Sequence, residues 1–345
     1  MTDVIVVGAG IVGAACAYYL SRAGARVTVL DAGPIAGGTS SSGEGNLLVS
    51  DKPPGPELDL ALRSVRRWEE IAADLGAEAI EYERKGGLMV AGSPAEVARL
   101  AELAAGQRAA GVAVTELAGD RLVDYEPRLV PGLAGGGYYP QDAQVQPMRA
   151  TAQLLRGLDV RCGTRVDAIE TGPGGTVTGV RSGAARLSAD AVVNATGVAG
   201  GELAGTAGAR LPIAPRRGFI LVTGPLAGSP IRHKVYSAGY VGGVVSDDAG
   251  LQSSLVVEGT KAGTVLIGSS RERVGFDPGY PLPVLRRIAA QAVALFPFLA
   301  AVPVLRAYRG FRPYLPDHLP AIGPDPHVPG LWHAGGHEGA GIGLA

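Results

Sequence analysis

The chain has 345 residues, of which 46% are hydrophobic, and a formal net charge of -1. This length allows a sizeable core and two domains, and the near-neutral charge excludes strong electrostatic attraction to nucleic acid or to an anionic membrane surface. Cys16 and Cys162 are its two cysteines, which argues against a disulfide framework. We therefore predict a globular, cytoplasmic protein whose ligand is a small molecule.

The first 31 residues predict a βαβ unit. A β-branched run over residues 4–7 leads into Gly8-Ala9-Gly10-Ile11-Val12-Gly13, and an apolar helical segment follows, then a strand over residues 27–30. The uncharged stretch over residues 4–21 also raises the alternative of a membrane span or signal peptide. The absence of a preceding Lys or Arg and the three glycines inside the stretch argue against that alternative.

The glycines of this unit predict a dinucleotide-binding turn. Gly8 permits the tight turn, Gly10 lets the backbone approach a pyrophosphate, and Gly13 lets helix and strand pack closely. Asp31 ends the second strand, where a carboxylate bonds the ribose hydroxyls of an adenosine. A glycine-rich turn without a nucleotide is the alternative.

The segment after Asp31 favours FAD over NAD. A nicotinamide domain normally continues into another helix and parallel strand, whereas residues 33–46 are rich in Gly, Ser and Thr. Such a segment suits a large polar cofactor held along its length, although a flexible loop has the same composition. Glu44 is an acid within this otherwise neutral segment, so we expect it to face either the substrate amine or the flavin, or simply solvent.

The rest of the chain mixes helices and strands. Periodicity predicts helices over residues 58–75, 95–110 and 283–299, and strands over 160–169, 176–180, 191–194 and 264–267. Alternating runs over 219–268 indicate an antiparallel sheet, and residues 330–337 indicate a strand and glycine turn before a helix start at 339–345. We predict an α/β fold, in which a Rossmann-like FAD-binding domain (1–50, 147–210 and 315–345) is interleaved with an α+β substrate-binding domain (51–146 and 211–314) that contains a large, mostly antiparallel sheet.

Two further patterns, a histidine pair and two arginine pairs, are not interpreted as catalytic or metal sites. His333 and His337 have the spacing of metal ligands on a helix, but a glycine turn separates them and no third ligand is evident, so we predict no metal site and expect His337 to make polar contacts beside the cofactor. The pairs Arg216-Arg217 and Arg286-Arg287 are interpreted as exposed charge at the ends of elements.

Five motifs, in order, resemble the D-amino-acid oxidase and glycine oxidase family of FAD-dependent oxidoreductases. They are G-A-G-I-V-G, G-T-S-S-S-G, A-D-A-V-V-N-A-T-G, G-F-R-P-Y-L-P-D-H-L-P-A-I-G and A-G-G-H-E-G-A-G-I-G. The segments G-E-G-N-L-L-V-S-D and P-R-R-G-F-I-L-V-T look most like flavin (beta) subunits of D-hydroxyproline dehydrogenase, opine oxidase and hydrogen cyanide synthase. The resemblance covers nearly the whole chain, although family members usually continue beyond the position of Ala345.

The resemblance implies noncovalent FAD, because no cysteine stands at Gly335 or Gly336. It implies that Arg312 holds a substrate carboxylate, for which a planar guanidinium is well suited. The active-site tyrosine of glycine oxidases has no counterpart on its strand, so Tyr236 and Tyr240 are the nearest candidates. The residues expected to bind the cofactor are Gly8, Gly10, Ile11, Val12, Gly13, Asp31, Ala32, Thr39, Ser40, Ser41, Gly43, Gly45, Asn46, Val166, Ala195, Thr196, Gly197, Gly336, His337, Glu338, Gly339, Ala340, Gly341 and Ile342.

The implied reaction is oxidation of an α-amino or cyclic imino acid to its imine, with hydride transfer from Cα to flavin N5. Two alternatives stay open. The first is a glycine or D-amino-acid oxidase that uses O2, and the second is a flavin-carrying subunit that is inactive without partner chains. Such partners would carry iron–sulfur clusters or further flavins.

Overall fold

The computed structural model describes residues 1–228, 230–239 and 248–345. The described strands are β1 (Asp3–Val7), β2 (Arg26–Leu30), β3 (Asn46–Leu47), β4 (Gly87–Ala91), β5 (Thr115–Ala118), β6 (Gly135–Tyr139), β7 (Ala143–Gln144), β8 (Asp159–Arg161), β9 (Ala168–Thr171), β10 (Val177–Ser182), β11 (Ala185–Ser188), β12 (Ala191–Asn194), β13 (Ala214–Thr223), β14 (Lys234–Ser237), β15 (Gln252–Gly259), β16 (Val265–Arg271), β17 (Val304–Tyr314), β18 (Ala321–Pro324) and β19 (Leu331–Gly335).

The described α-helices are α1 (Ile11–Arg22), α2 (Pro56–Leu75), α3 (Ala77–Ile80), α4 (Pro94–Ala109), α5 (Leu122–Tyr125), α6 (Pro147–Leu154), α7 (Gly200–Gly205) and α8 (Leu282–Leu295). Short 3-10 helices cover Thr39–Ser42, Gly119–Arg121, Gly197–Ala199, Pro297–Ala301 and Glu338–Ala340. No helix in the described part of the chain combines the length and the apolar character that a membrane crossing requires.

The predicted βαβ unit forms the centre of a six-stranded sheet with the order β18-β19-β12-β1-β2-β8. β1 pairs in parallel with β2 and β12, and β18 joins the edge in antiparallel pairing with β19. Val4 to Val7 are all buried, because a strand flanked by two neighbours and covered on both faces has no side that meets water. The Rossmann-like part of the predicted fold is confirmed.

The second large sheet has eight strands in the order β17-β13-β16-β15-β14-β4-β6-β5. Its described pairs are antiparallel except for β14 with β4. Helix α8 packs on this sheet through Val284, Ile288 and Ala292, which share one hydrophobic cluster with Phe219 and Ile267. The large, mostly antiparallel sheet is therefore confirmed.

The strand predicted over residues 160–169 was wrong. The structure divides it into β8, at the edge of the nucleotide sheet, and β9, in a separate three-stranded sheet with β10 and β11. Gly163 adopts a φ of +69° between the two strands, and Thr164 N donates to Asp31 O at 2.8 Å. A left-handed residue turns the chain, so an uninterrupted strand cannot form there.

Helix α2 contacts both halves of the molecule. Its residues Trp68 and Ile71 belong to the hydrophobic cluster under the nucleotide sheet, whereas Leu58 and Val65 pack with strands of the second sheet. Helix α2 therefore packs against both cores, and the domain boundary at residue 51 stays a prediction.

The chain segment after β19 differs from its prediction. A helix start was expected at residues 339–345, but the structure has a 3-10 helix at Glu338–Ala340 followed by turns. Trp68 Nε1 donates to Ile342 O at 3.1 Å, and Ser64 Oγ donates to Ala345 O at 3.3 Å. Helix α2 thus supplies hydrogen-bond donors for two carbonyl groups of these turns.

Candidate functional site

The main cavity lies where β1, β12 and β19 end, facing strands β13 and β17 of the second sheet, and has a volume of about 250 Å³. The carboxyl ends of parallel strands are where such folds bind ligands. From the predicted set, the cavity is lined by Gly8, Gly10, Ile11, Val12, Asp31, Thr39, Ser40, Gly43, Glu44, Asn46, Ala195, Thr196, Gly197, Arg312, His337, Glu338, Gly339, Gly341 and Ile342.

The first helix directs its amino terminus at this cavity. Gly8 has a φ of +113°, and a Cβ there would lie 2.3 Å from Ala195 O, so both the turn and the closeness of β12 require glycine. The Ile11 amide donates to Ser40 Oγ at 2.9 Å, and Gly10 and Val12 line the cavity beside it. Backbone N–H groups and the helix dipole together make this end a binding site for an anion such as a pyrophosphate.

Asp31 organises the nucleotide end. Its carboxylate accepts hydrogen bonds from Ala9 N at 2.6 Å and from Gly33 N at 2.7 Å, which ties the glycine turn to the end of β2. Each carboxylate oxygen has two lone pairs, so these bonds leave acceptor capacity for ribose hydroxyls. Asp31 also lines a second, adjacent cavity of about 190 Å³ together with the predicted residues Ala32 and Val166.

The segment between Gly38 and Asn46 is an ordered wall of the cavity. Thr39 Oγ1 donates to Phe311 O of β17 at 2.6 Å, which joins the segment to the second sheet. Ser42 lines the cavity, whereas Ser41 turns its hydroxyl to Gly38 O at 3.1 Å and lies outside the lining. These contacts favour the cofactor wall over the flexible-loop alternative, and Ser42 lines the cavity where Ser41 was predicted.

Four other predicted cofactor residues also lie outside both cavity linings. A Cβ would lie 2.0 Å from Gly8 O at Gly13, 1.7 Å from Val145 O at Gly45 and 2.1 Å from Leu315 Cδ1 at Gly336. These glycines permit close packing behind the wall. Ala340 packs against a hydrophobic cluster of the second sheet.

Arg312 of β17 lines the same cavity as the glycine turn. Its Nη1 donates to Ser270 O at 2.9 Å, which orients the guanidinium plane, and Gly218 and Gly339 border it closely. A Cβ at Gly218 would lie 2.2 Å from Nη1, so glycine is what leaves room for this side chain. The cavity therefore carries both an anion-binding helix end and a guanidinium.

Three buried polar atoms of the cavity wall have no hydrogen-bond partner among the described residues. They are Glu44 Oε1, Asn46 Oδ1 and Ser269 Oγ. Buried polar atoms are normally paired, so these atoms indicate a polar ligand in the cavity. Burial raises the pKa of Glu44, although the nearby Lys234 ammonium opposes that change.

His337 and Glu338 form the far end of the cavity. Burial lowers the pKa of His337 to about 4, so its ring is neutral at physiological pH. Glu338 accepts a hydrogen bond from Arg216 Nη1 at 2.6 Å and pairs with His318 Nδ1 at 3.3 Å. His333 instead pairs with Asp325 at 2.9 Å and does not line the cavity.

Among the described residues, no tyrosine candidate lines either cavity, and one arginine pair is buried. Tyr236 is fully buried and bonds the Ser50 hydroxyl, outside the lining of either cavity, so its assignment as an active-site tyrosine is corrected. Tyr240 lies outside the described residues. Arg216 and Arg217 are buried in ion pairs, contrary to the prediction of exposed charge, because β13 places them between neighbouring strands.

Several lining residues were not predicted. They are Gly38, Ser42, Val198, Gly218, Ile220, Ser269, Gly310, Pro313, Ala334 and Gly335. The two-residue period of a strand through Arg312 could have indicated Gly310. No local signal indicates Gly218, which meets Gly310 only because β13 pairs with β17 across about ninety residues of chain.

These residues fit FAD. The helix end suits its pyrophosphate, Asp31 its ribose, and the second cavity its adenine, while the main cavity continues past this point to Arg312. The three unpartnered polar atoms offer hydrogen bonds to a polar ring and substrate.

Proteins of similar sequence include an oxidase and a synthase subunit. Glycine oxidase from Pseudomonas putida is 28% identical over 99% of this chain and 91% of its own length, and the hydrogen cyanide synthase subunit HcnC from Pseudomonas aeruginosa is 27% identical over 99% and 88%. The bifunctional protein ThiO/ThiG from Nostoc sp. is 28% identical, but this chain spans about half of its length, 51%.

Solved structures share the fold. The structure of L-proline dehydrogenase from P. horikoshii superposes with a TM-score of 0.90 at 22% identity, covering 100% of this chain and 90% of the other. Glycine oxidase from Bacillus cereus gives 0.87 at 23% identity, covering 100% and 92%. The sequence model described as "FAD dependent oxidoreductase" (DAO) matches residues 3–345, and the chain therefore belongs to this family of FAD-dependent oxidoreductases.

Proposed function

We propose that this enzyme oxidises an α-amino or cyclic imino acid to its imine. The observation that carries the proposal is the guanidinium of Arg312 in the same cavity as the predicted cofactor residues. A guanidinium presents donors in a plane that matches a carboxylate, and its bond to Ser270 O holds that plane in one orientation. The relatives named as glycine oxidase and hydrogen cyanide synthase subunit support this substrate class.

The chain's own residues would bind and orient the two partners of the reaction. Gly8, Gly10 and Asp31 would hold the dinucleotide, and Arg312 would fix the substrate so that its Cα–N bond lies beside the ring. FAD supplies, when bound, the acceptor for the hydride, which carries both electrons from the substrate. Positioning accounts for most of the rate increase in such a site, and the imine would be hydrolysed afterwards in water.

Anaerobic flavin bleaching tests this function. A panel of amino and imino acids is mixed with the holoenzyme, and at least one should reduce the flavin. In Arg312→Ala the dissociation constant of that substrate should rise about 100-fold, because charge-assisted bonds to a carboxylate are lost. Arg306→Ala is the matched control, since Arg306 lies on the same strand but is exposed. Unchanged substrate binding in Arg312→Ala would remove Arg312 from the site.

The electron acceptor is a separate part of the proposal. We favour a dehydrogenase of the D-hydroxyproline, opine or D-amino-acid type, and a glycine or D-amino-acid oxidase that uses O2 is the second candidate, supported by the relative named glycine oxidase. Stopped-flow mixing of the reduced enzyme with air-saturated buffer separates them. Reoxidation within milliseconds to seconds contradicts the dehydrogenase.

A hetero-oligomer is a further candidate, because one relative is named as a subunit of hydrogen cyanide synthase. If the chain acts only with iron–sulfur or flavin partner chains, the purified chain should not bleach its own flavin with any amino acid. We also propose a cytoplasmic location. We propose further that FAD is bound noncovalently, so acid precipitation should release all of the flavin. Yellow colour retained in the pellet would contradict noncovalent binding.

A further inference from the structure

Glu44 is a buried acid in the cavity wall, and the proposed clamp and nucleotide residues leave it without a role. It is 7% exposed. Oε2 accepts a hydrogen bond from Asn46 Nδ2 at 3.1 Å, whereas Oε1 has no partner within the described residues. Burying an ionised oxygen without a partner is costly, so Oε1 should be satisfied by a bound molecule or by a proton.

The charges around Glu44 come from three strands of the second sheet. Lys234 of β14 is bonded to Glu258 of β15 and lies 3.8 Å from Glu44 Oε2. On β17, Tyr308 donates to Gly43 O at 3.3 Å, and Arg312 lines the same cavity as Glu44. Two buried carboxylates thus share the Lys234 ammonium, which lies nearer to Glu258.

This arrangement gives Glu44 the character of an acceptor for a cation or a proton. Burial has the largest effect and raises the pKa of Glu44, and the Glu258 charge acts in the same direction. The positive charges of Lys234 and Arg312 act in the opposite direction. Lys234 pairs directly with Glu258, so the charge of Glu44 is only partly neutralised. A second positive charge placed at Glu44 Oε1 would neutralise it.

We propose that Glu44 receives the nitrogen of the substrate and takes up the proton of its ammonium group. The inference rests on the proposed function, in which Arg312 binds the carboxylate of the same zwitterion. One N–H bond of the ammonium breaks and one O–H bond forms on Glu44 Oε1, so charges of +1 and -1 become two neutral groups. The neutral amine then has the lone pair that imine formation requires, and acids without an ionisable nitrogen are discriminated against.

Two matched ligand pairs test the inference without turnover. Binding of glycine against glycolate, and of proline against tetrahydrofuran-2-carboxylate, is measured by calorimetry on the holoenzyme reduced with dithionite. The wild type should bind the nitrogen member of at least one pair ten-fold or more tightly. In Glu44→Gln this preference should vanish, while the oxygen member binds within about two-fold of the wild type because the Arg312 clamp is intact.

Glu272→Gln is the control for removing a buried acid outside the cavity. Glu272 is paired with Arg217 at 2.8 Å and lines neither cavity, so this variant should keep the preference for nitrogen. Flavin content is measured for every variant. If Glu44→Gln is the only variant that loses flavin, Glu44 binds the cofactor and the inference is overturned. The inference is also overturned if the wild type prefers the nitrogen member of neither pair.

The pH dependence gives a second readout. Below the pKa of Glu44 its carboxyl is neutral, so the preference for nitrogen should fall as the pH is lowered, and Glu44→Gln should show no such dependence. Lys234→Met removes a charge that lowers this pKa, so the fall should begin at a higher pH. An unchanged profile in Lys234→Met would overturn the inference even if Glu44→Gln failed to fold.

The outcomes separate this inference from the proposed function. If no amino or imino acid bleaches the flavin of the wild type, the proposed function fails. If the wild type oxidises an amino acid and Glu44→Gln keeps its preference for nitrogen, only the role of Glu44 fails.

Discussion

A single added carbon at Gly13 would collide with the backbone of the strand before it. The Cβ of an alanine would lie 2.0 Å from Gly8 O, where helix α1 crosses the end of β1. The carbonyl cannot move away, because Gly8 itself lies against Ala195 O, directly after β12. The role predicted for Gly13 from its place in the motif, close packing of helix and strand, therefore agrees with the geometry.

Gly13→Ala should destabilise the protein by about 3 kcal/mol or more, because overpacking against backbone is not relieved by a change of rotamer. Gly205→Ala is the matched control, since no atom lies within 4 Å of its added Cβ at the end of α7. That variant should be neutral or up to about 1 kcal/mol more stable. Urea unfolding of both proteins measures the difference, and equal midpoints would contradict the prediction.

At the scale of elements, the loop between β3 and α2 is held by polar groups from distant elements. Asp142, in the turn between β6 and β7, accepts hydrogen bonds from Val49 N at 2.9 Å and from the Ser50 hydroxyl. Gln107 of α4 donates to Ser50 O at 2.8 Å and to Lys52 O at 2.9 Å. Tyr236 joins the same network, which explains why a tyrosine sought for catalysis is buried instead.

Asp142→Asn should change how stability depends on pH. Burial raises the pKa of Asp142 from 3.8 to about 6, so in this range the folded protein binds more protons than the unfolded chain. Its contribution to the free energy of unfolding therefore falls between pH 4 and pH 6, by up to about 3 kcal/mol. The asparagine variant lacks this loss and should gain stability relative to the wild type as the pH rises.

Urea titrations at pH 4, 5, 6 and 7 measure this difference. His337, whose pKa is lowered to about 4, contributes a change of the opposite sign in a similar range, but it is present in both proteins and cancels in the comparison. Parallel curves for the two proteins would show that Asp142 does not titrate in this range.

At the scale of the whole molecule, helix α2 links the cofactor cavity to both sheets. Trp68 is fully buried under the nucleotide sheet, and its indole donates a hydrogen bond to Ile342 O. Ile342 in turn lines the cavity. The turns after Glu338 contain few backbone hydrogen bonds of their own, Ala340 N to His337 O and Leu344 N to Ala340 O, so the bonds from this helix contribute to their position.

Trp68→Phe should therefore affect both stability and cofactor binding. We expect a loss of about 2–3 kcal/mol from the cavity and the unpaired carbonyl, and several-fold weaker FAD binding. Trp332→Phe is the control, because Trp332 is 46% exposed and should change stability by less than about 0.5 kcal/mol. Urea unfolding and FAD titration of the apoprotein measure both effects, and equal FAD affinities in the two variants would contradict the link.

The sequence by itself determined the features that depend on neighbouring residues. The βαβ unit, the glycine turn, Asp31 and the type of both sheets follow from periodicity and turn chemistry, which act over short stretches of chain. The tertiary structure alone decided which strands and loops meet. It placed Gly218 against Gly310, divided residues 160–169 between two sheets, turned Ser41 and Tyr236 away from the cavity, and brought Glu44 beside Lys234. These contacts join residues far apart in the chain, and their free energy comes from burial and pairing that no local pattern records.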